Sequence, residues 1–409
     1  MVPNGWFTYK FSEIVKETQL GTTERHKGEF CSDPIPLLKM GNLSWGGFNL
    51  KSLETLPRSR VDESLILKKG DFLFNTRNTP ELVGKSAVWN GELTEAIFDN
   101  NINRIVFHNS IDPFYLGLYL NNGRGKSVIN SLPAGSTSVA AIYWKDLKNI
   151  KLTLPPLPEQ RKIAKILSTW DKAVATTEKL IATSQQQKKA LMQQLLTGKK
   201  RLVNPDTGKV FEGDWEEVRV ANFGKVVTGN TPPKGDDSNY GSDISWATAE
   251  DFKGKYVGNT KVKLTKSGVS KARLVPKGSV LVTCIASIGK NAIADEDLTT
   301  NQQINAVIVN SKHCNEFFYY QIEFNKHKLL AWAGTTAVPI LNKSSFEKIL
   351  LLAPLKHEQQ KIASVLTAAD KEIELLETKL AHLKNEKKAL MQQLLTGKRR
   401  VKVEAMEMA

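Results

Sequence analysis

Two stretches of the chain space their apolar residues by alternating steps of four and three, the pattern of one face of a long helix. The second stretch, in residues 354–400, is the more regular, and a single lysine, Lys387, interrupts its seam. The first stretch, in residues 155–200, has more polar positions, and Lys188 stands at the matching place. The apolar seam positions are Ile163, Leu167, Trp170, Val174, Ile181, Leu191 and Leu195 in the first helix, and Ile362, Leu366, Ile373, Leu376, Leu380, Leu383, Leu390 and Leu394 in the second.

Neither helix is expected to be stable alone in water, so each seam predicts a partner. The favoured partner is the other helix, packed antiparallel within the same chain; the alternative is that each helix lies only on its own domain. A helix of roughly 40 residues is about 60 Å long at 1.5 Å per residue. We therefore expect the pair to act as a ruler between two domains related by a pseudo-twofold axis.

The helices belong to an internal duplication. The stretch KKALMQQLLTGK occurs unchanged at 188–199 and 387–398, which are 199 positions apart. The same offset places EQRKIAKIL (159–167) over EQQKIASVL (358–366), and GSTSVAAIYWKDLKNI (135–150) over GTTAVPILNKSSFEKI (334–349). Before these segments the match weakens, so the duplication predicts two diverged domains, each followed by a similar helix.

The segments before each helix predict mixed domains. Short β-prone runs such as NRIVF and INAVIVN are bounded by Gly, Asn and Asp, and FYLGLYLNN and EFFYYQIEF have the pattern of short amphipathic helices. The predicted fold class is α+β, with two variable domains and two long helices forming an antiparallel intramolecular coiled coil. The predicted order is a first domain (1–154), a central helix (155–200), a linker (201–214), a second domain (215–353), a C-terminal helix (354–400) and a tail (401–409).

The charge balance narrows the function. The 409 residues include 57 Lys and Arg against 42 Asp and Glu, a net charge of +15, which favours a polyanionic partner, most often nucleic acid. No run of apolar residues is long enough for a membrane span, and the N-terminus lacks the pattern of a signal peptide. Three scattered cysteines argue against a disulfide framework or a zinc site. We expect a cytoplasmic protein that does not contact membranes.

Polar loop segments supply candidate DNA contacts. Arginine can form paired hydrogen bonds with guanine, and Asn and Gln can do so with adenine, whereas lysine suits phosphate groups. The alternative for each residue is a solvated turn. The candidates are Trp45, Arg77, Asn78, Arg124, Lys126, Ser136, Thr137, Lys234, Lys290, Gln302, Gln303, Thr335 and Thr336.

No pattern in the chain predicts catalysis. It has no phosphate-binding GxxxxGK[ST] loop, no GxGxxG after a strand and no HExxH. The segment TGNTPPKG departs from the Asn-Pro-Pro-aromatic signature of amino-methylating enzymes, because Thr231 follows Asn230 and Lys234 replaces the aromatic residue. We expect no catalytic residue, metal site or cofactor in this chain.

The duplicated segments, GSTSVAAIYWKDLKNIKLTLPPLPEQRKIAKIL with its partner and the twin KKALMQQLLTGK, resemble those of the specificity subunits of type I restriction–modification enzymes. The resemblance spans essentially the whole chain, except the tail VKVEAMEMA, which has no counterpart. It implies two target-recognition domains, each reading one half of a split, asymmetric double-stranded DNA sequence. It also implies a prokaryotic complex with two methyltransferase subunits, which carry S-adenosylmethionine and methylate adenine, and with restriction subunits that use ATP and Mg. Two near-identical helices would then offer two equivalent docking sites.

Two other classes remain open from the residues. One is a self-sufficient DNA methyltransferase or nuclease whose motif is not apparent, and the other is a coiled-coil tether without DNA specificity. A helix pair of about 60 Å would place two half-sites roughly one to two turns of B-DNA apart.

Overall fold

The computed structural model describes residues 2–26, 33–135, 139–334 and 338–403. The chain divides into two compact units: residues 1–176 with 380–409 form the first, and residues 177–379 form the second. Each unit contains one α+β domain and a part of each long helix.

Within the first domain, short strands alternate with short helices. The strands are β1 (Phe7–Lys10), β2 (Val15–Leu20), β3 (Pro34–Leu38), β4 (Leu43–Ser44), β5 (Gly47–Phe48), β6 (Glu54–Pro57), β7 (Phe72–Asn75), β8 (Arg77–Asn78), β9 (Ser86–Val88), β10 (Ile97–Phe98), β11 (Ile102–Phe107), β12 (Ala134–Gly135), β13 (Ala140–Ala141) and β14 (Lys151–Leu154). The helices are α1 (Phe11–Ile14), α2 (Pro113–Leu120), α3 (Gly123–Asn130) and α4 (Trp144–Leu147), followed by the long helix α5 (Leu157–Leu195).

The second domain repeats this plan. Its strands are β15 (Glu216–Arg219), β16 (Gly224–Thr228), β17 (Tyr240–Gly241), β18 (Ile244–Ala247), β19 (Tyr256–Val257), β20 (Lys263–Leu264), β21 (Leu274–Val275), β22 (Val280–Thr283), β23 (Asn291–Ala294), β24 (Leu298–Thr300), β25 (Ile304–Val309) and β26 (Leu350–Ala353). Its helices are α6 (Val220–Phe223), α7 (Lys266–Ser270), α8 (Asn315–Phe324), α9 (Lys326–Ala331) and α10 (Lys343–Lys348), followed by the long helix α11 (Lys356–Leu395).

Equivalent sheets form the centre of each domain. The first has the strand order β2-β11-β7-β9, and the second has the order β16-β25-β22-β23 with β19 as a fifth strand. In each domain the first strand also pairs antiparallel with the strand that leads into the long helix, β1 with β14 and β15 with β26. The burial of β11 alternates along its last four residues, whereas the first four residues of β25 are all buried.

The cores extend from the domains onto the long helices. In the first unit, Ile163 of α5 and Leu394 of α11 belong to the same buried cluster as Phe72 and Tyr115. In the second unit, Leu195 of α5 and Leu366 of α11 belong to the cluster around Phe317. Each domain therefore packs on the start of one long helix and on the end of the other.

Ion pairs show that the two long helices run antiparallel within each unit. In the first unit, Arg400, just beyond α11, pairs with Glu159 at 2.7 Å, and Lys387 pairs with Asp171. In the second unit, Arg201 pairs with Glu358 at 2.7 Å, and Lys188 pairs with Asp370 at 2.7 Å. Residues later in α5 pair with residues earlier in α11, as expected for antiparallel helices. The two pairs of the second unit are the two pairs of the first unit shifted by the offset of the duplication.

The predicted seam positions face the interior of these units. No seam residue is exposed, in keeping with an apolar stripe that is covered by a partner. The buried residues are Ile163, Leu167, Ile181, Leu195, Ile362, Leu366 and Leu394, and the half-buried residues are Trp170, Val174, Leu191, Ile373, Leu376, Leu380, Leu383 and Leu390.

The Glu-Gln pair that is repeated near the start of each long helix contacts the backbone of the preceding domain. Gln160 accepts a hydrogen bond from the backbone N–H of Asp112 at 2.9 Å, and Gln359 accepts one from the N–H of Cys314 at 2.9 Å. Each glutamine also donates to a proline carbonyl before its helix, at 2.9 Å and 2.8 Å. The repeated letters therefore reflect repeated contacts to the backbone of two diverged domains.

The ends of the twin stretch contact the starts of the domains. Gly198 and Gly397 have φ angles of 70° and 68°, a region that glycine adopts without strain. A Cβ atom at Gly198 would lie 3.2 Å from the ring of Trp215, and one at Gly397 would lie 3.3 Å from the ring of Trp6. The helix ends thus require glycine both for the turn and for the approach of a tryptophan.

One predicted loop is helical. Residues 122–126 were expected to form a polar loop, but Asn122 precedes α3 and Gly123 begins it. The reason is close packing: Gly125 lies so near the carbonyl oxygen of Tyr119 that an added Cβ would be 2.2 Å from it. A buried glycine at this contact lets α3 pack against α2, which the sequence pattern did not indicate.

The twin lysines allow a matched stability test. Lys188 is 15% exposed and pairs with both Asp370 and Glu323, whereas Lys387 is 23% exposed and pairs with Asp171, which is 53% exposed. We expect Lys188→Met to lower the free energy of unfolding by about 1–2 kcal/mol and Lys387→Met by less than about 1 kcal/mol, because exposed pairs contribute little. Urea unfolding of the two variants would measure the difference, and equal losses would contradict it.

Candidate functional site

Four segments of the first domain meet at one end of its central sheet. Because β2, β11 and β7 run antiparallel, the end of β2, the start of β11 and the end of β7 lie at the same edge. Thr22 forms an isolated bridge with Asp99, and the N–H of Thr76 donates to the carbonyl of Asn101 at 2.8 Å. We call residues 22–26, 76–79, 99–101, 134–135 and 139–141 the first edge.

Strand pairing brings the two polar loops of this edge together. Arg77 and Asn78 form β8, which pairs with Ala141 and Ala140 of β13. Strand β13 in turn pairs with β12, so β12, β13 and β8 form one three-stranded sheet. Residues 136–138 themselves, including the candidates Ser136 and Thr137, lie outside the described residues.

An equivalent arrangement occurs in the second domain. The N–H of Asn230 donates to the carbonyl of Thr300 at 2.9 Å, and the hydroxyl of Thr231 hydrogen-bonds to Gln302. The N–H of Cys284 donates to the carbonyl of Gln303 at 2.7 Å, and Ile285 forms a bridge with Ile340. We call residues 229–234, 284–287, 300–303 and 338–341 the second edge; the candidates Thr335 and Thr336 lie outside the described residues.

The residues predicted to contact bases differ in their exposure and in their hydrogen bonds within the chain. Arg77 is exposed on the first edge, whereas the amide of Asn78 donates to Asn75 at 3.0 Å and accepts from the N–H of Thr79 at 2.9 Å. On the second edge, Gln302 is exposed and Gln303 is half-buried, where its carbonyl oxygen accepts from Asn301 at 3.4 Å. Arg77 and Gln302 are therefore better placed than Asn78 and Gln303 to meet a ligand.

Other predicted candidates lie beside the edges. The ammonium group of Lys126 stands 4.0 Å from the centre of the Trp45 ring, and the Trp45 hairpin contacts β9 through the N–H of Gly46, which donates to Ser86 at 2.9 Å. Lys234 is exposed on the second edge, and Lys290 donates to the carbonyl of Ala249 at 2.7 Å.

Arg124 lies elsewhere in the first unit. It lines a groove between α3 and the end of α11, together with Tyr119, Lys388 and Met391. This position separates Arg124 from the group of edge residues and places it against the repeated stretch instead.

Three basic residues at the edges escaped the sequence analysis. Arg25 contacts Asp99 at 3.4 Å and Asn100 at 3.1 Å, while burial raises the pKa of Asp99 above its usual value. Beside the second edge, the carbonyl of Lys271 accepts from the amide of Asn230 at 2.6 Å, the ammonium group of Lys271 binds Asp236 at 3.0 Å, and Arg273 donates to the carbonyl of Thr228 at 2.7 Å. They were missed because the repeat is too diverged in these segments to align them, and single basic residues carry no motif.

Backbone strain also marks the second edge. Ala286 has a φ of 62°, the one positive value among the non-glycine residues that the structure describes. Its N–H donates to the carbonyl of Pro339 at 3.1 Å. Strain of this kind costs about 1–3 kcal/mol and tends to be retained at functional sites, which is consistent with a binding role for this edge.

One titratable group of the second edge, the thiol of Cys284, is buried. Burial raises the pKa of the Cys284 thiol to about 11, so this thiol is protonated at neutral pH and is a poor nucleophile. Within the described parts of the chain, no cluster of three His, Cys, Asp or Glu side chains could hold a metal ion. Exposed arginine, lysine and amide groups on two edges suit the binding of an extended anion.

Among the residues described, no helix is long and apolar enough to cross a membrane.

Comparison with known proteins indicates the family of this chain. A family model described as the type I restriction modification DNA specificity domain matches residues 58–184 and 212–385. A putative type I restriction enzyme MjaX specificity subunit from Methanocaldococcus jannaschii is 26% identical over 98% of this chain and 95% of its own length. The solved S subunit of a type I restriction–modification system from M. genitalium has a TM-score of 0.59 at 13% identity, covering 96% of this chain and 99% of that chain, and so has a similar fold.

Proposed function

Because the chain belongs to the type I restriction–modification DNA specificity family, we propose that its first and second edges each read one half of a bipartite DNA target. The observation that carries this proposal is the repetition of one edge on two diverged domains. Arg77 of the first edge corresponds to Ile285 of the second. Arg77 pairs with Ala141, and Ile285 forms an isolated bridge with Ile340, which lies at the offset of the duplication from Ala141. One scaffold with different exposed side chains would read two different sequences.

The edges offer two kinds of contact. Lys234, Lys271 and Arg25 suit phosphate oxygens, which position a protein on DNA without reading its sequence. The exposed guanidinium of Arg77 suits guanine, and the exposed amide of Gln302 suits adenine. The net charge of +15 supports a partner of this kind, and binding should weaken steeply with salt.

The long helices would dock the catalytic partners. The twin stretch lines a groove in each unit, of about 220 Å³ beside Tyr119 in the first and about 730 Å³ beside Phe324 in the second. Both grooves contain the same three residue types from that stretch. These are Lys388, Met391 and Gln392 in the first unit and Lys189, Met192 and Gln193 in the second.

Identical residues in the two grooves favour the binding of two copies of one partner. We propose that these partners are methyltransferase subunits, which carry S-adenosylmethionine. Restriction subunits that use ATP and Mg would join through that complex. In this proposal the chain contributes recognition and assembly in the cytoplasm, and the transfer of the methyl group to adenine occurs on its partners.

Methylation mapping tests the reading of DNA. In cells that express this chain with its methyltransferase subunits, we expect modified adenines within one split sequence motif. Arg77→Ala should relax the motif at one or two positions of a single half, by about 1–3 kcal/mol of discrimination, and leave the other half unchanged. Arg60→Ala is the control, because Arg60 is exposed in a turn of the same domain and outside the edge.

Three outcomes would contradict the proposal. Relaxation of both halves by Arg77→Ala would contradict separate reading by the two edges. Absence of any split motif in the presence of an active methyltransferase would favour a tether without DNA specificity. Transfer of a methyl group to DNA by the purified chain alone would show that it is itself an enzyme.

A further inference from the structure

The second domain has an additional strand, and the residue just before it contacts the long helix α11. Strand β19 pairs parallel with β23, with Tyr256 opposite Ile293, and extends the central sheet to five strands. In the described part of the first domain, the corresponding sheet has four strands and ends at β9. The two domains therefore differ at one edge of the central sheet: β9 is the edge strand in the first domain, whereas β19 lies beyond the equivalent strand β23 in the second.

Lys255, immediately before β19, is held in a closed polar site. Its side chain is 10% exposed, and its ammonium group lies 2.6 Å from the hydroxyl of Thr367 on α11 and 3.3 Å from Glu316 on α8. It also lies 3.3 Å from the hydroxyl of Tyr320 and 4.8 Å from the centre of that ring. One amine thus joins the extra strand, a domain helix and a long helix.

The contacts continue across both long helices of the second unit. The hydroxyl of Tyr320 donates to Asp370 of α11 at 2.5 Å, and Asp370 pairs with Lys188 of α5 at 2.7 Å. Lys188 in turn binds Glu323 of α8 at 3.1 Å. Every member of this network is a charged group or a hydroxyl of Tyr320 or Thr367, and each hydrogen bond is directional.

Among the described residues of the first unit, one ion pair of this network recurs. The N–H groups of Asp112 and Cys314 make equivalent hydrogen bonds, to Gln160 and Gln359, so these two residues can be aligned. In this alignment of α2 with α8, Leu118 corresponds to Tyr320 and Asn121 corresponds to Glu323. Asp171 and Lys387 form the remaining pair on the long helices. Leucine cannot replace the tyrosine hydroxyl, and Asn121 instead donates to the carbonyls of Ser86 and Gly117.

We propose that Lys255 is a positioning residue that fixes the second recognition domain on the long helices and thereby sets the register of the half-site read by the second edge. Apolar contacts tolerate small sliding because they are non-directional, whereas a partly buried network of charged hydrogen bonds favours the one arrangement that satisfies its groups. The burial that lowers the pKa of Lys255 shows the desolvation cost of this site, and Glu316 offsets it. This inference rests on the proposed function.

The test varies the spacer between the two half-sites. The complete complex of this chain with its methyltransferase subunits would be assayed on the mapped target and on targets with the spacer changed by one base pair. We expect Lys255→Met to raise the rate on the altered targets, relative to the mapped target, by about tenfold, the effect of losing roughly one directional contact. Lys253→Met, an exposed lysine of the same segment, should leave the ratio unchanged.

A second variant keeps the test decisive if Lys255→Met does not fold. Tyr320→Phe removes only the hydroxyl that joins Lys255 to Asp370 and should shift the same ratio in the same direction. A merely structural role would reduce the rates on all spacers equally and leave the ratio constant. An unchanged ratio in the folded variants would overturn the inference alone, whereas a wild-type complex that recognises no split target would overturn the proposed function.

Discussion

Replacing Arg201 by methionine should lower the free energy of unfolding of the second unit by about 3 kcal/mol, the cost of leaving a buried carboxylate without its partner. Glu358 is 2% exposed, and both its oxygens accept from the guanidinium of Arg201, from Nε and Nη2 at 2.7 Å each. A paired contact of this geometry is among the stronger hydrogen bonds in proteins. Methionine keeps much of the apolar stem, so the loss should report mainly on the charge.

Lys200→Met is the matched control, because Lys200 is exposed and adjacent in sequence. Calorimetry is the appropriate measurement, since two units need not unfold in a single transition. Arg400→Met in the first unit should have a smaller effect of about 1–2 kcal/mol, because the Arg400 side chain is 43% exposed against 23% for Arg201. If Arg201→Met matched Lys200→Met, the pair would have no role in stability.

The second large effect concerns two leucines of α11. Leu366 is fully buried in the core of the second unit, whereas Leu375 is 71% exposed on the same helix. We expect Leu366→Ala to lower the free energy of unfolding by about 2–5 kcal/mol through lost apolar burial and the cavity that remains. Leu375→Ala should change it by less than about 0.5 kcal/mol.

Urea unfolding followed by tryptophan fluorescence would measure both variants, and neither change alters helix propensity unfavourably, since alanine is the best helix former. Similar losses at Leu366 and Leu375 would mean that the exposed leucine is covered in solution. A small loss at Leu366 would contradict the assignment of α11 to the core of the second unit.

The family resemblance is carried by the duplicated segments around the two long helices, where the same contacts occur in both copies. The repeat and the seams predicted two α+β domains and two antiparallel helices, and the resemblance predicted a type I specificity subunit; the family match over both halves and the similar fold of a solved S subunit confirm both predictions. Ion pairs such as Arg201 with Glu358 preserve the same letters in both copies because both copies bury the same charge. Contacts that occur in both copies therefore appear as identical residues in the two copies of the sequence.

The site was less predictable, for a physical reason. Arg77 and Gln302 were named because their chemistry suits bases, and the structure places both on exposed edges. Arg25, Lys271 and Arg273 were missed, and Arg124 was grouped with residues from which the fold separates it. Loop side chains are free to diverge, and their neighbours are set by strand register across long sequence separations.

The sequence by itself determined the duplication, the seams of α5 and α11, and the absence of recognisable catalytic motifs, because periodicity, repeats and motifs are local properties of the letters. Only the tertiary structure decided that α3 begins at Gly123, that β8 pairs with β13, and that Lys255 lies between α8 and α11. These contacts join residues as far apart as 112 positions in the case of Lys255 and Thr367. Such pairs are selected by packing and by the need to satisfy buried polar groups, which no local pattern records.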